Sequence, residues 1–417
     1  MPVNPRKSLT MDAVAGLSVA IVALPLALGF GITSGASPSA GLTTAIIAGF
    51  IAAFFGGSRF QVSGPTGAMT VVLIPIIAKF GIHIVPMVGL MAGVIVIVLS
   101  LLRAGHIINR VPWPVVEGFT VGIALVIALQ QLPLVFGIKK GAGDRSIPVA
   151  LSTIRDALHA GLSPQSIFIV FVTLFVKFTF PILWKKLKIT FHIPASIIAI
   201  LVSLLLVKIL NFDIAAIGDI PRSIGTWDGA ALSFDHFSEL FIPALMIAAL
   251  CAIESLLSAR VADGMAHVAK EDRYQPNREL FGQGLGTIFA SLFGGLPATG
   301  AIARSSVNVR SGAHSKYAAI FHSLFLLVIA LFAGALVSQI PTAAIAGVLL
   351  GTSYRILNPA SIRESLQTTK KDASVLITTA AATLFIDLIW GIIIGIGLHL
   401  IFVVNSKRIG SAATQDE

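Results

Sequence analysis

Two stretches of this chain interrupt long apolar segments in the same way. Residues 55–73 read FGGSRFQVSGPTGAMTVVL, and residues 293–309 read FGGLPATGAIARSSVNV. In each stretch a Gly-Gly pair ends one apolar segment, a short extended piece follows, and small residues lead into a new helical pattern. Irregular backbone is tolerated at membrane depth only where protein or a water-filled cavity surrounds it. The recurrence therefore predicts that two broken elements form the two halves of one site.

The composition requires a membrane environment. Of the 417 residues, 56% are hydrophobic and only 12% are charged, which is too little polar surface for a water-soluble domain. Apolar segments long enough to cross a hydrocarbon core of about 30 Å recur along the chain. The net charge of +10 does not indicate nucleic-acid binding, because Lys and Arg lie in short loops between apolar segments. We predict a multi-pass, all-α protein surrounded by the lipid bilayer.

Fourteen membrane segments are predicted, seven in each half of the chain. The third and tenth are short and rich in Gly, Pro, Ser and Thr, so they are interpreted as half-helices that follow short extended strands. The predicted segments are 11–33, 38–55, 60–80, 83–103, 115–136, 164–183, 192–210, 239–262, 277–293, 298–313, 314–338, 341–358, 372–388 and 389–405. A short amphipathic helix outside the membrane is expected at 144–160.

Loop charges orient these segments. If both termini are cytoplasmic, 20 of the 29 Lys and Arg residues lie on the cytoplasmic side, 7 on the outer side and 2 within segments. Such an excess of cytoplasmic Lys and Arg is typical of helical membrane proteins, and here it favours an even number of segments. Because seven is odd, a second copy of the repeat would be inserted upside down. We therefore expect a seven-plus-seven inverted repeat, with chance resemblance of the two stretches as the alternative.

The two half-helices predict an anion site. A helix N-terminus presents free N–H groups and the positive end of the helix dipole, and both favour negative charge. In an inverted repeat, the N-termini that start near Thr66 and Thr299 would point at each other. The Thr66 hydroxyl would either cap its helix or donate to a ligand. Small residues there would let the backbone approach a ligand, although tight helix packing also selects small residues. These residues are Gly67, Ala68, Gly300 and Ala301.

Two of the charged residues inside the predicted membrane segments are candidates for function. Arg304 is one turn into the second half-helix, where insertion scales assign a cation a cost of about 2.5–3.5 kcal/mol, so we expect a functional role. It would contribute to anion binding, or pair structurally with Glu254 or with a backbone carbonyl. Glu254, in the eighth segment, would carry a proton when neutral or bind Na⁺ when ionised. The alternative is that Glu254 only neutralises Arg304.

The sequence lacks the motifs of several enzyme classes. It contains neither a GxxxxGK[ST] loop nor an HExxH motif, which argues against ATP-driven pumping and zinc proteolysis. The single cysteine, Cys251, lies in an apolar segment, so neither a disulfide framework nor a cysteine metal site is expected. No nucleophile with an adjacent base is apparent. We predict a protein that is not an enzyme, with no metal or organic cofactor and with H⁺ or Na⁺ as the candidate coupling ion.

A family resemblance covers nearly the whole chain. The chain resembles bacterial members of the sulfate permease family (SulP), which are relatives of mammalian anion exchangers and prestin. The segments that carry the resemblance are AGLSVAIVALPLALGFGITSGASPSAGL, FQVSGPTGAMTVVL, AIESLLSARVADGM, PNRELFGQGLGTIFASLFGGLPATGAIARSSVNVRSGA and KKDASVLITTAAATLFIDLIWGIIIGI. The resemblance implies an inverted seven-plus-seven fold like that of uracil permease. It also implies a core domain (11–110 and 239–340), a gate domain (111–238 and 341–405), an elevator movement, a homodimer and a bacterial plasma (inner) membrane location.

The same resemblance implies roles for individual residues. Glu254 matches the acidic position implicated in cation coupling in some prokaryotic members. Residues expected beside the anion are Leu26, Phe30, Gly67, Ala68, Ala301, Ile302 and Arg304. Family members usually continue into a cytoplasmic STAS domain, whereas this sequence is expected to be a single transmembrane unit, residues 1–417, without that domain.

Together these observations predict a secondary active transporter of a small anion such as sulfate, bicarbonate or a dicarboxylate. Symport with H⁺ or Na⁺ is the expected mode. An uncoupled anion exchanger and a passive anion channel use the same site and stay open as alternatives. A nucleobase permease is a further alternative, but it would bind a neutral ring, for which Arg304 is a poor fit.

Overall fold

The chain is predominantly helical, as the composition predicts. The structure, a computed structural model, describes residues 5–108, 111–139, 141, 146–186, 194–218, 236–357, 359–386 and 388–413. Two very short strands interrupt the helical order, and each lies in one of the two broken stretches.

The first half of the chain forms ten helices within the described residues. They are α1 (Pro5–Thr33), α2 (Pro38–Phe55), α3 (Gly67–Phe80), α4 (Val85–Leu101), α5 (Gly105–Ile108), α6 (Trp113–Gln130), α7 (Leu132–Phe136), α8 (Ser146–Ala160), α9 (Pro164–Lys186) and α10 (Ala195–Ile209). The amphipathic helix expected at 144–160 coincides with α8. The predicted segment 115–136 is divided between α6 and α7.

The second half contributes eight helices, with the same limit to the described ranges. They are α11 (Phe237–Met265), α12 (Pro276–Leu292), α13 (Ile302–Arg310), α14 (Tyr317–Val337), α15 (Thr342–Ile356), α16 (Pro359–Thr368), α17 (Lys370–Phe385) and α18 (Leu388–Ala413). The two half-helices of the prediction correspond to α3, with 14 residues, and α13, with 9 residues. Both are too short to cross a bilayer alone.

The protein is a membrane protein. In the part of the chain that the structure describes, seven helical segments are long and apolar enough to span a membrane, and they involve α1, α2, α4, α6, α9, α11 and α14. Shorter apolar helices lie at Gly67–Phe80, Ala195–Ile209 and Trp390–Val404. Large apolar side chains on the outside, such as Phe332 at 84% exposure, are suited to contact with lipid.

The helices pack mainly within two sets. The first set contains α1, α2, α4, α12 and α14, in which α12 lies along α4 and α2, and α1 lies along α14. The second set contains α6, α9, α10, α15 and α17, in which α6 lies along α17, and α9 lies along α10 and α15. Contacts of α1 with α15 and of α3 with α6 join the sets. Small residues allow some of these helices to approach closely: a Cβ at Gly41 of α2 would meet the carbonyl oxygen of Ala27 on α1.

The two strands pair with each other. β1 (Ser63–Gly64) precedes α3, β2 (Thr299–Gly300) precedes α13, and they form an antiparallel ladder with Ser63 opposite Gly300 and Gly64 opposite Thr299. All four residues are buried. The Ala301 amide extends the ladder by donating to the Val62 carbonyl oxygen at 2.9 Å. The two broken stretches, far apart in sequence, are therefore joined by backbone hydrogen bonds.

Candidate functional site

The first half-helix begins where the sequence predicts. Thr66 has extended backbone angles, and its hydroxyl oxygen accepts a hydrogen bond of 3.4 Å from the Met69 amide, so it is the N-cap of α3. Of the two roles considered for the Thr66 hydroxyl, the structure shows the capping contact. The helix then starts at Gly67, and Ala68 is fully buried in its first turn.

The second half-helix begins three residues later than the position expected near Thr299. α13 starts at Ile302, and its N-cap residue, Ala301, makes no side-chain capping bond. The physical reason is that Thr299 and Gly300 belong to β2. The Gly300 amide donates to Ser255 Oγ at 3.0 Å and the Ala301 amide to the Val62 carbonyl oxygen at 2.9 Å, so the backbone stays extended through these residues. The two half-helices therefore start differently, despite the similar Thr-Gly-Ala sequences that lead into them.

Glu254 contacts both broken stretches. It lies on α11 and is half-buried, and its Oε2 accepts hydrogen bonds from Thr66 Oγ1 at 2.9 Å and from Thr299 Oγ1 at 2.7 Å. One threonine precedes α3 and the other lies in β2, so a single carboxylate oxygen bridges the two stretches. A carboxylate oxygen accepts readily from two hydroxyls, and such hydrogen bonds are stronger than those between neutral groups.

Arg304 is a buried cation that is not paired with that carboxylate. Its side chain is 1% exposed, and its Nη2 donates to the Pro65 carbonyl oxygen. Among the described residues, no salt bridge joins Arg304 to Glu254, and Nη1 has no hydrogen-bond partner. Of the two structural roles considered for Arg304, the structure therefore shows the contact with a backbone carbonyl. Nη1 lies against Gly64, where a Cβ would collide with it.

The apolar candidates surround the start of α3. Leu26 and Phe30 are buried on α1, at 3% and 7% exposure. The Phe30 ring approaches within 3.4 Å of the position that a Cβ of Gly67 would occupy, and the Ile127 side chain of α6 covers the same position. The first turn of α3 is therefore enclosed between α1 and α6. Ala301 is buried beside β2, and Ile302 is half-buried at the start of α13.

Polar side chains hold the strands in place, and two of them, Glu279 and Gln283, were missed by sequence reasoning. Ser305 Oγ of α13 accepts from the Val62 amide at 3.0 Å, and Gln283 Nε2 of α12 donates to Ser63 Oγ at 2.5 Å. Gln283 in turn donates to Glu279 Oε1 at 2.9 Å. A signal was available, because Glu279 and Gln283 are four residues apart in a predicted membrane segment, where polar residues usually have a specific partner.

A cavity of about 490 Å³ lies toward the C-terminal end of α3. It is lined by Val72 and Ile76 of α3 and by residues of both packing sets, including Thr33 of α1, Gln130 of α6 and Thr383 of α17. Lys79 and Glu239, which form an exposed salt bridge of 3.3 Å, also line it. The cavity therefore lies between the C-terminal half of α3 and helices α6 and α17, away from the candidate site residues at the start of α3.

Half-helices that start inside a membrane-spanning bundle, each after a short extended segment, are typical of membrane transporters. The fold and the site thus define a membrane transport protein rather than an enzyme. The sequence profile of the sulfate permease family matches residues 9–379, and the chain belongs to this family. The resemblance noted in the sequence is thereby confirmed.

Known relatives match the chain over nearly its full length. The candidate sulfate transporter YvdB of Bacillus subtilis (strain 168) is 34% identical over 399 residues, which cover 94% of this chain and 73% of YvdB. The bicarbonate transporter BicA of Picosynechococcus sp. is 29% identical, with 97% of this chain and 71% of BicA covered. The solved transmembrane domain of a cyanobacterium BicA superposes with a TM-score of 0.83 at 28% identity, over 93% of this chain and 98% of that domain.

Proposed function

We propose that this protein is a secondary active transporter that moves a small anion across the bacterial plasma (inner) membrane by symport with H⁺ or Na⁺. Sulfate, bicarbonate and small dicarboxylates are the proposed substrates. The observation that carries the proposal is the buried Arg304 guanidinium, which lies on α13, contacts Pro65 just before α3, and forms no salt bridge among the described residues. Positive charge is thus held where both half-helices begin, and the helix N-termini add to it.

The names of the relatives support this class of substrate. YvdB is described as a sulfate transporter and BicA as a bicarbonate transporter, and both anions are small and oxygen-rich. Such an anion suits a site built from N–H donors and a guanidinium. The proposed binding residues are Leu26, Phe30, Thr66, Gly67, Ala68, Gly300, Ala301, Ile302 and Arg304.

The proposed architecture has fourteen membrane segments in a seven-plus-seven inverted repeat. A core domain (11–110 and 239–340) would carry the anion past a gate domain (111–238 and 341–405) in an elevator movement. The packing of the helices supports this division, because α1, α2, α4, α12 and α14 pack mainly on one another and α6, α9, α10, α15 and α17 do likewise. We further propose cytoplasmic termini, from the loop charges, and a homodimer, from the family resemblance.

Glu254 is the proposed coupling residue. Its contacts with Thr66 and Thr299 link its charge state to both broken stretches. Loss of its proton, or binding of Na⁺ beside it, would change the strength of both hydrogen bonds at once. The ion and the anion would thereby influence each other's binding through the same backbone segments.

Uptake by the purified protein in proteoliposomes tests the proposal. Labelled sulfate, bicarbonate and fumarate are supplied separately, with and without imposed Na⁺ and pH gradients, and protein-free liposomes are the control. We expect one of these anions to accumulate above its external concentration when one gradient is present. Uptake that only follows the anion's own gradient would indicate a passive channel, and uptake that requires an anion on the other side would indicate an exchanger. Competition by uracil would instead support a nucleobase permease.

A further inference from the structure

Two buried polar residues of α12 contact both the end of α2 and β1. Glu279 and Gln283 are 2% and 0% exposed. Glu279 Oε2 accepts from the backbone amides of Gly57 and Ser58, each at 2.8 Å, and Oε1 accepts from Gln283 Nε2 at 2.9 Å. Three donors thus surround one buried carboxylate, which is the environment that a buried charge needs.

Gln283 extends this contact to the site. Its Nε2 also donates to Ser63 Oγ at 2.5 Å, so both N–H groups of the amide are used. Both oxygens of Glu279 accept hydrogen bonds, so the Gln283 amide presents its nitrogen, not its oxygen, to Glu279. The orientation of the Gln283 amide is therefore fixed by Glu279, and the second N–H is directed at Ser63.

β1 needs support from side chains because its own backbone hydrogen bonds are too few to keep it in place. Its ladder with β2 contains two residues from each strand, and even a longer two-stranded ladder is only marginally stable alone. Side chains of three helices fix the strands: Ser305 of α13 holds Val62, Ser255 of α11 holds Gly300, and Gln283 of α12 holds Ser63. Two of these three contacts act on the stretch that leads into α3, and the one from α12 is made to β1 itself.

The turn between α2 and β1 lies directly against α12. A Cβ at Gly57 would come within 3.0 Å of the Glu279 amide nitrogen, and a Cβ at Gly282 would come within 2.6 Å of the Gly56 amide nitrogen. Backbone is therefore packed on backbone at this point, and α12 serves as the surface on which the turn rests. Thr66 and Gly67 follow β1 within a few residues, so a displacement of β1 moves the start of α3.

We propose that Glu279 and Gln283 are positioning residues for anion binding. Glu279 orients the Gln283 amide, and Gln283 holds Ser63 of β1 in place. The position of β1 in turn determines where the Thr66 cap and the Gly67 backbone lie in the anion site. This inference rests on the proposed anion site and adds to it residues that do not contact the anion. A role confined to filling the interior would affect stability alone, whereas a positioning role also changes the affinity for the anion.

A double-mutant cycle between Gln283→Leu and Ser63→Ala tests the proposal. Each single variant is expected to raise the half-saturating anion concentration for uptake by roughly tenfold, because either one breaks the same buried hydrogen bond. The double variant is expected to be no worse than the single ones, since two residues that act through one bond are not additive. Gln283→Asn replaces Gln283→Leu in the cycle if the latter does not fold.

The matched control is a buried hydroxyl pair away from the strands. Thr173 Oγ1 and Ser203 Oγ lie 2.8 Å apart between α9 and α10, so the cycle of Thr173→Val with Ser203→Ala should change thermal stability but not the half-saturating concentration. A Gln283–Ser63 cycle that is additive, or that changes only thermal stability, would refute the positioning role.

A second measurement does not depend on transport. Amide hydrogen exchange of the peptide spanning 57–66 should accelerate in Gln283→Leu and in Glu279→Ala, and stay unchanged in Thr173→Val. Unchanged exchange in the first two variants would overturn the proposal even if no anion were transported. Absence of uptake by the unmodified protein would count against the proposed function alone.

Discussion

The Thr299 hydroxyl donates a hydrogen bond of 2.7 Å to Glu254 Oε2, which joins the strand of the second broken stretch to the carboxylate of α11. Thr66, just before α3, donates to the same carboxylate oxygen at 2.9 Å. Two hydroxyls from distant parts of the sequence therefore donate to one carboxylate oxygen. This arrangement is the physical basis for proposing Glu254 as the coupling residue.

Replacing Glu254 by Gln should separate coupling from transport. The amide keeps the shape and an acceptor oxygen, but it neither takes up a proton at physiological pH nor offers a negative charge to Na⁺. In proteoliposomes we expect anion exchange to persist while accumulation driven by a Na⁺ or pH gradient is lost. Glu271→Gln, which alters an exposed carboxylate, is the control. Gradient-driven accumulation by Glu254→Gln would exclude this residue as the coupling site.

Removing the Arg304 side chain should weaken anion binding. Hydrogen bonds to charged groups contribute about 1.5–3 kcal/mol, so Arg304→Ala should raise the half-saturating anion concentration by roughly tenfold to a hundredfold. Arg304→Lys should recover only part of the loss, because an ammonium lacks the planar fork of the guanidinium. The exposed Arg363→Ala is the matched control. Normal uptake by a folded Arg304→Ala protein would contradict the role in binding.

A side chain at Gly67 should obstruct the start of α3. A Cβ there would meet the Ile127 side chain, so Gly67→Val should lower uptake, with a packing cost of about 1–3 kcal/mol. Ile127→Ala should restore part of the activity, because it removes the atoms that the new side chain meets. Gly264→Ala is the control, since no atom lies within 4 Å of its added Cβ. Equal loss of uptake in the Gly67 and Gly264 variants would argue against a local obstruction.

The orientation of the chain can be tested with single cysteines. Cys251→Ser removes the natural cysteine, which is fully buried. In that background, Lys79→Cys should react with a membrane-impermeant maleimide added to intact cells, whereas Lys270→Cys should react only after permeabilisation. Both positions are exposed, so reactivity depends on the side of the membrane. The opposite labelling pattern would show that the termini are not cytoplasmic.

Much of the architecture follows from local sequence patterns. The apolar segments predict membrane helices because the bilayer demands about 20 apolar residues per crossing, and α2 begins and ends at the predicted residues. The cap of α3 was also predictable, since Thr66 precedes a helical pattern and has the side chain that such a position favours. Arg304 and Glu254 were identified because a charged side chain at membrane depth is energetically costly and therefore usually has a function.

Other features depend on contacts between distant residues, which no local pattern records. Thr66-Gly67-Ala68 and Thr299-Gly300-Ala301 look alike, yet only the first leads directly into a helix, because Thr299 and Gly300 are engaged by β1 and α11. The sequence likewise could not show whether Arg304 contacts Glu254 or a backbone carbonyl, which in the structure is that of Pro65. The sequence by itself determined a membrane protein with two broken elements and with charged residues, Arg304 and Glu254 among them, inside its membrane segments. Only the tertiary structure decided which groups those elements bond to, because hydrogen-bond partners are set by how helices far apart in the chain pack together.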